Sequence, residues 1–193
     1  MEKIKKIWTK YGMYICLICC GIAIIGYFVN IMFFQNKKDI LNVLVLNSQI
    51  DSELLLDELE NVVKVNNGEE IIIKYMDTNG NEANRAIVLT WIRAKTVDII
   101  IGEPEQVDFL AENGCLKEIE EQGKPENLYY DNSIINYDSD GDIIGREEEK
   151  HYGIYVNEVA GVSFQTTPVI SLAANFQNEE NAINAFIFYI NQK

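Results

Sequence analysis

Alternating carboxylates at Asp138, Asp140 and Asp142 form the most distinctive chemical motif in the sequence. Carboxylates on one turn can surround a hard cation such as Ca²⁺, which takes about six to eight oxygen ligands. Glu149 stands at the twelfth position of a loop begun at Asp138, as in an EF-hand-type loop, but Ile143 occupies the sixth, where glycine is needed. Asp-Gly turns between short strands are common. We weigh a metal site here against a plain turn, favour the turn, and expect no cofactor.

Nucleophilic catalysis has few candidate residues in this chain. It contains 4 Cys and a single His, His151. A neighbouring carboxylate could make His151 a pH-sensitive contact, but we favour a histidine at the surface or at a strand edge. Cys115 follows Gly114 at a predicted helix end, so we expect a buried small hydrophobe and not a nucleophile. The motifs of phosphate-binding loops, dinucleotide sites and zinc proteases are missing. We therefore expect no enzyme, with a carboxylate-dependent hydrolase kept as an alternative.

Polar residues follow three predicted strands at the points where those strands end. In open parallel sheets, ligands bind beyond the carboxyl ends of the strands. The surplus of acid favours cations or neutral polar molecules over anions. The alternative is that these side chains cap helices and form turns. The predicted ligand-binding residues are Asn47, Ser48, Gln49, Asp77, Thr78 and Glu103.

Strands and helices alternate in the part of the chain that must position these residues. Apolar runs at 41–46, 71–76 and 97–101 predict buried strands, each followed by a helical stripe of apolar residues. Asp51 or Ser52 is predicted to cap the first of these helices. Residues 153–156 and 168–173 predict two further strands, and a final helix opens at 178–180. The pattern predicts an α/β domain with three layers and a mainly parallel sheet, interrupted by an irregular acidic insertion at 117–150.

The charge distribution excludes nucleic acid as a partner. The 193-residue chain has a formal net charge of −14, and residues 39–193 carry 29 acids against 10 bases. Phosphate backbones are repelled by such a surface.

The N-terminal part predicts a single transmembrane helix. Residues 11–34 carry no charge, and a helix of that length can cross a hydrocarbon core of about 30 Å. Four lysines precede the stretch, against Lys37 and Lys38 after it, so the N-terminus is predicted to be cytoplasmic. The predicted organisation is a basic tail at 1–10, the span at 11–34, a linker at 35–40 and an extracytoplasmic domain at 41–193. A cleaved signal peptide and a lipid-modified Cys20 are the alternatives.

Two segments resemble extracytoplasmic solute-binding proteins of the family 1, periplasmic-binding-protein-like type. The first is TVDIIIGEPEQVDFLAENGCLKEIEE and the second SLAANFQNEENAINAFIFYI. The likeness covers about 120 positions, and family members are about twice as long, with two lobes that trap a ligand between them. The residues that carry it are Asp98, Ile99, Ile100, Leu110, Gly114, Leu116, Asn175, Asn178, Asn181, Ala182, Ala185 and Phe186.

The resemblance implies a one-lobe, membrane-tethered relative at a bacterial cell surface. Its expected function is to bind a small polar solute or to contact a transporter, such as an ABC-type permease, or another surface protein. The alternative is a structural or regulatory subunit of a membrane complex that has no small-molecule ligand.

Overall fold

The computed structural model describes residues 11, 13–14, 17–27, 37–120 and 128–192. The chain divides into two units, residues 1–38 and 39–193. In the first unit the described residues of 11–27 are helical (α1), and large apolar side chains such as Leu17 and Ile22 are exposed. Within the described residues, no helix combines the length and the apolar character that crossing a membrane requires. Residues 12, 15–16 and 28–34 of the predicted span lie outside the described residues, as does the tail at 1–10.

The second unit is built on a six-stranded sheet with the order β3-β1-β4-β10-β8-β5. Its strands are β1 (Lys38–Leu46), β3 (Glu69–Met76), β4 (Ile99–Gly102), β5 (Tyr129–Asn132), β8 (Lys150–Tyr155) and β10 (Val169–Leu172). Two ribbons accompany it: β2 (Gln49–Ile50) pairs with β9 (Val162–Ser163), and β6 (Ile135–Tyr137) pairs with β7 (Ile143–Arg146).

The first half of the sheet is parallel, as predicted. β1 and β4 run in the same direction, with Val43 opposite Ile99 and Val45 opposite Ile101. β3 ends at the same edge as β1, since the Asn47 amide donates to the carbonyl of Met76 at 3.1 Å. β1 and β4 are rich in β-branched residues and largely buried, as expected of strands covered on both faces, whereas β3 at the edge of the sheet is mostly half-buried.

The second half of the sheet is antiparallel. β10 inserts between β4 and β8 and runs antiparallel to both, and β5 forms the edge by pairing antiparallel with β8. The prediction that 117–150 is irregular needs correction, because its described residues include β5, β6 and β7. Few residues of these strands are buried, so the apolar pattern that identifies a strand is weak in the sequence.

Helices cover both faces of the sheet. They are α2 (Ser52–Val62), α3 (Glu82–Arg93), α4 (Pro104–Glu112) and α5 (Glu179–Asn191). α2 and α5 pack with Val43, Val45 and alternate residues of the other strands, whereas α3 and α4 pack with Leu44 and Leu46 on the opposite face. The predicted α/β class is therefore confirmed, with helical layers on either side of the sheet.

The residues at which helices and strands begin follow from simple capping and backbone rules. Asp51 caps α2, and its carboxylate accepts from the amides of Glu53 and Leu54. Pro104 occupies the first turn of α4, where a missing amide hydrogen has no cost. The first strand begins at Lys38, inside the predicted linker at 35–40, because it extends beyond its apolar run.

Candidate functional site

The crevice between the carboxyl ends of β1 and β4 is the topological switch point of the domain. After β1 the chain passes to α2 on one face of the sheet, and after β4 it passes to α4 on the other. Connections that leave neighbouring strands toward opposite faces open a crevice between them, and ligands of α/β proteins bind there. We call this place the carboxyl-edge crevice; Asn47 and Ser48 follow β1 there, and Glu103 and Gln106 follow β4.

Asn47 fixes the local geometry where β1 ends. Its backbone has a positive φ of 51°, a conformation that asparagine tolerates better than most residues. Its side-chain oxygen accepts from the Thr78 amide at 2.5 Å and from the Thr78 hydroxyl at 3.2 Å. The amide nitrogen of the same side chain, Nδ2, is buried and has no partner among the described residues. Asn47 therefore joins the ends of β1 and β3 and retains an unused donor.

Two further side chains at the crevice are buried without satisfying their hydrogen-bonding capacity. Ser48 is 8% exposed and Gln106 is 7% exposed, and neither Ser48 Oγ nor Gln106 Oε1 has a partner in the described part of the chain. A Cβ added to Gly102 would lie 3.2 Å from Leu46 Cβ and 3.5 Å from Val107 Cγ2. This close packing holds the end of β1 against the first turn of α4.

Glu103 uses its carboxylate to hold another segment of the chain. Its Oε1 accepts from the backbone amides of Gln165 and Thr166, the latter at 2.8 Å. It makes no side-chain cap on α4, although its backbone carbonyl accepts from the amides of Gln106 and Val107. A residue predicted to bind ligand is therefore engaged with the protein itself.

The segment held by Glu103 is the connection between β8 and β10, residues 156–168, which we call the strap. Three other contacts fasten the strap. β9 within it pairs with β2, and the Asp51 amide donates to the carbonyl of Gly161 at 2.6 Å. Glu58 of α2 accepts from the Ala160 amide at 3.3 Å. The strap therefore lies along the carboxyl edge, where ligands of α/β domains enter.

Gly161 is required where the strap meets α2. It has a positive φ of 68°, and an added Cβ would lie 2.4 Å from the carbonyl oxygen of Asp51. Any other residue would therefore push the strap away from the N-terminus of α2.

Cavities of solute size flank the strap. One of about 450 Å³ is lined by Gln49, Asp51 and Leu54 on one side and by Glu158 to Ser163 on the other. A second, of about 410 Å³, is lined by the strap from Asn157 to Pro168. Small-molecule sites usually fall within ~300–1,000 Å³. Asp51 and Glu158 add negative charge, which disfavours anions.

The predicted site residues divide between this crevice and ordinary turns. Asn47, Ser48 and Thr78 come together at the ends of β1 and β3, and Gln49 lines the larger cavity. Asp77 is instead used by its own loop, where its carboxylate accepts from the Asn79 amide at 3.0 Å. Sequence reasoning missed Gln106, whose available signal was a polar residue between the apolar positions of a helix.

The acidic motif at 138–142 forms a turn. The Asp138 carboxylate accepts from the amides of Asp140 and Asp142, both at 2.9 Å, so one of the three carboxylates serves the backbone. Across the described residues, no group of three or more His, Cys, Asp or Glu side chains is arranged to hold a metal ion.

Two reactive side chains lie away from the crevice. His151 Nδ1 contacts the Asp131 carboxylate, and its ring stacks on Tyr129 with centroids 4.5 Å apart. Cys115 is buried, as expected, and burial raises the pKa of its thiol. A thiol with a raised pKa is a poor nucleophile at neutral pH.

No protein-family model matches this sequence, and no curated protein matches it. The geometry of the site therefore supplies the argument for function.

Proposed function

We propose that residues 39–193 form a binding domain, without catalytic activity, that recognises a small polar solute at the carboxyl-edge crevice. The observation that carries this proposal is the set of buried, unpartnered polar atoms there, Asn47 Nδ2, Ser48 Oγ and Gln106 Oε1. Polar atoms buried in native proteins nearly always have hydrogen-bond partners. Among the described residues, three of the five exceptions follow the two strands of the topological switch point, which favours a ligand that supplies their partners.

The chemistry of these atoms suits a neutral or cationic solute. Asn47 Nδ2 donates, Gln106 Oε1 accepts, and a serine hydroxyl does both. An anion would meet the Gln106 oxygen and the nearby Glu103 and Glu158 carboxylates, so its binding is disfavoured. The two cavities beside the strap have room for a molecule of this class; Gln49 and Asp51 line one of them and Thr166 lines the other, whereas Asn47, Ser48 and Gln106 line neither.

The proposal extends to location and partners. The domain is tethered outside the cell by residues 11–34, with the basic tail inside, and presents its solute to a permease or another membrane protein. The exposed apolar side chains of α1 and the contrast between basic residues before 39 and acidic residues after it support this arrangement. Protease treatment of intact cells should digest the C-terminal domain, and cell fractionation should recover the full chain with membranes.

Thermal unfolding in the presence of solute panels tests the binding function. A ligand that binds the folded state alone raises the melting temperature by mass action. We expect one class among sugars, amino acids, short peptides and amines to raise it, and Ser48→Ala and Gln106→Ala to reduce the shift. Asp77→Asn, whose side chain serves its own loop, is the control that should leave the shift unchanged. No shift with any class would contradict the proposal and favour a subunit without a ligand.

A further inference from the structure

The ribbon of β6 and β7, residues 135–146, exposes a cluster of large apolar side chains. Tyr137 is 48% exposed, Ile143 59% and Ile144 68%. Single exposed hydrophobics are normal on protein surfaces, whereas adjacent ones mark interaction sites.

A bulge in the ribbon brings these three residues together. Asn136 is opposite Gly145, but Tyr137 is opposite Ile143, so the register shifts by one residue at Ile144. In such a bulge, two residues of one strand oppose a single residue of the other. Ile143 and Ile144 therefore both oppose Tyr137, and we call these three exposed residues the apolar patch.

The ribbon is held firmly although it stands outside the six-stranded sheet. Asp138 closes its turn through the amides of Asp140 and Asp142. At its base the Glu147 amide donates to the carbonyl of Ile134 at 2.9 Å, and Arg146 pairs with Glu112 at 3.4 Å. A two-stranded ribbon is marginal by itself, so these contacts keep the patch presented in a fixed form.

The surroundings of the patch are strongly acidic. Residues 138–149 contain six acids and one base, Arg146, which pairs with Glu112 of α4. An anionic lipid surface would be repelled by this charge. A second copy of the chain is disfavoured for the same reason, since residues 39–193 carry 29 acids against 10 bases.

We propose that the ribbon is a docking surface for a different protein that offers an apolar pocket rimmed by lysines or arginines. Tyr137, Ile143 and Ile144 fill the pocket, and the flanking carboxylates pair with the basic rim. Apolar centres with polar rims are the usual anatomy of protein interfaces, and complementary charge selects the partner and speeds association. This surface is separate from the carboxyl-edge crevice and does not depend on the solute proposal.

The test uses the full chain in detergent and a fluorescent, helical peptide with a stripe of leucines that is bordered on both sides by lysines. Binding is measured by fluorescence anisotropy for the wild type, for the double variant Ile143→Ser/Ile144→Ser, and for the control Tyr75→Ser/Ile87→Ser, which removes two exposed apolar side chains elsewhere. We expect the ribbon variant to weaken binding about tenfold or more and the control less than about twofold. The rim variant Asp140→Asn/Asp142→Asn should weaken binding a few-fold, and added salt should reduce this difference.

Circular dichroism of each variant verifies folding, and the rim variant tests the same surface if the ribbon variant does not fold. Equal affinities for wild type, ribbon variant and rim variant would overturn the proposal, as would an equal loss in the control. Tight binding of the same peptide with glutamates in place of lysines would also overturn it. Sedimentation velocity tests whether a second copy of the chain occupies this surface. A dimer that the ribbon variant abolishes would identify a second copy and contradict the proposal of a different partner.

Discussion

Buried polar side chains near the two ends of β4 differ in whether their hydrogen bonds are satisfied. At its amino end, Asp98 is fully buried and its carboxylate accepts from the backbone amides of Asn42, Gln177 and Asn178 and from the side-chain amides of Asn42 and Asn178, at 2.7–3.3 Å. At its carboxyl end, Ser48 and Gln106 are almost as deeply buried and have polar atoms without partners in the described structure.

This contrast separates a structural cluster from a binding site. The donors around Asp98 come from β1 and from the start of α5, so the carboxylate joins three elements and has little capacity left for a ligand. A fully satisfied network stabilises one conformation, whereas unsatisfied groups carry a desolvation cost that a ligand can relieve. The amino end therefore stabilises the fold, and the carboxyl end retains the capacity to bind.

Asp98→Ala should produce the largest effect. It leaves the buried donors of Asn42 and the part-buried donors of Gln177 and Asn178 without an acceptor, so the free energy of unfolding should fall by about 3 kcal/mol or more. Urea unfolding of the full chain measures this change. Asp140→Ala, at an exposed turn, is the control and should change it by less than about 0.5 kcal/mol. A loss below about 1 kcal/mol for Asp98→Ala would remove the distinction between the two ends.

Gly161→Ala should produce the next largest loss of stability. The added methyl group meets the Asp51 carbonyl at 2.4 Å in a backbone with positive φ, so we expect a loss of about 2–3 kcal/mol and faster proteolysis within the strap. Gly68→Ala distinguishes the steric clash from the cost of a positive φ. Gly68 also has a positive φ but has open space around its Cβ position. It should lose only about 1 kcal/mol. Equal losses would show that the strap does not press on α2.

Alkaline pH should destabilise the domain through two buried tyrosines. Burial, followed by hydrogen bonds to Glu58 and Asp108 respectively, raises the pKa of Tyr189 and of Tyr130. The folded state then holds these protons more tightly than the unfolded state. The contribution is complete below the unfolded pKa of about 10 and is lost as the pH rises above it, by up to ~1.4 kcal/mol per pH unit for each tyrosine.

Denaturant unfolding between pH 9 and about 11.5 measures this slope, and absorbance at alkaline pH follows tyrosine ionisation. Tyr189→Phe should flatten the slope and detach Glu58 from one of its partners, which include the strap amide of Ala160. Tyr137→Phe, at an exposed position, is the control. An unchanged slope in Tyr189→Phe would show that this phenol contributes nothing to the pH dependence.

Ser48→Ala should have the smallest effect on stability and the opposite sign to Asp98→Ala. Removing a buried hydroxyl without a partner abolishes its desolvation cost, so the unliganded protein should be unchanged or more stable by up to about 1 kcal/mol. Ser171→Ala is a matched comparison, since Ser171 Oγ is also buried and unpartnered but lies in the middle of β10. Both should be neutral or stabilising, but only Ser48→Ala should reduce a ligand-induced thermal shift.

The parallel half of the fold could be predicted because β1 and β4 are buried on both faces and α2 and α3 have side-chain N-caps. Residues 41–46 and 97–101 stand out as apolar runs, and Asp51, one of the two predicted candidates, is the N-cap of α2. The direction of β10 could not be predicted, since hydrophobic periodicity carries no information on strand direction. β5 was missed because Tyr129 and Tyr130 are its only buried residues.

The site was predictable where it depends on local sequence and unpredictable where it depends on distant contacts. Asn47 and Ser48 follow from the rule that ligands bind at carboxyl ends of parallel strands. The Glu103 carboxylate accepts from the amides of Gln165 and Thr166, which lie more than 60 positions away in the chain. No local sequence pattern predicts this contact. Gln106 lies on the inner side of α4, where the helical pattern predicts apolar residues.

The position of β10 has a consequence for how the polypeptide is made. Because β10 lies between β4 and β8 in the middle of the sheet, the segments synthesised before it form two separate groups of strands with bare edges. Exposed strand edges invite association between nascent chains. Completion of this domain therefore has to wait until residues beyond 168 have left the ribosome, and a ribosome stalled before that point would release an aggregation-prone product.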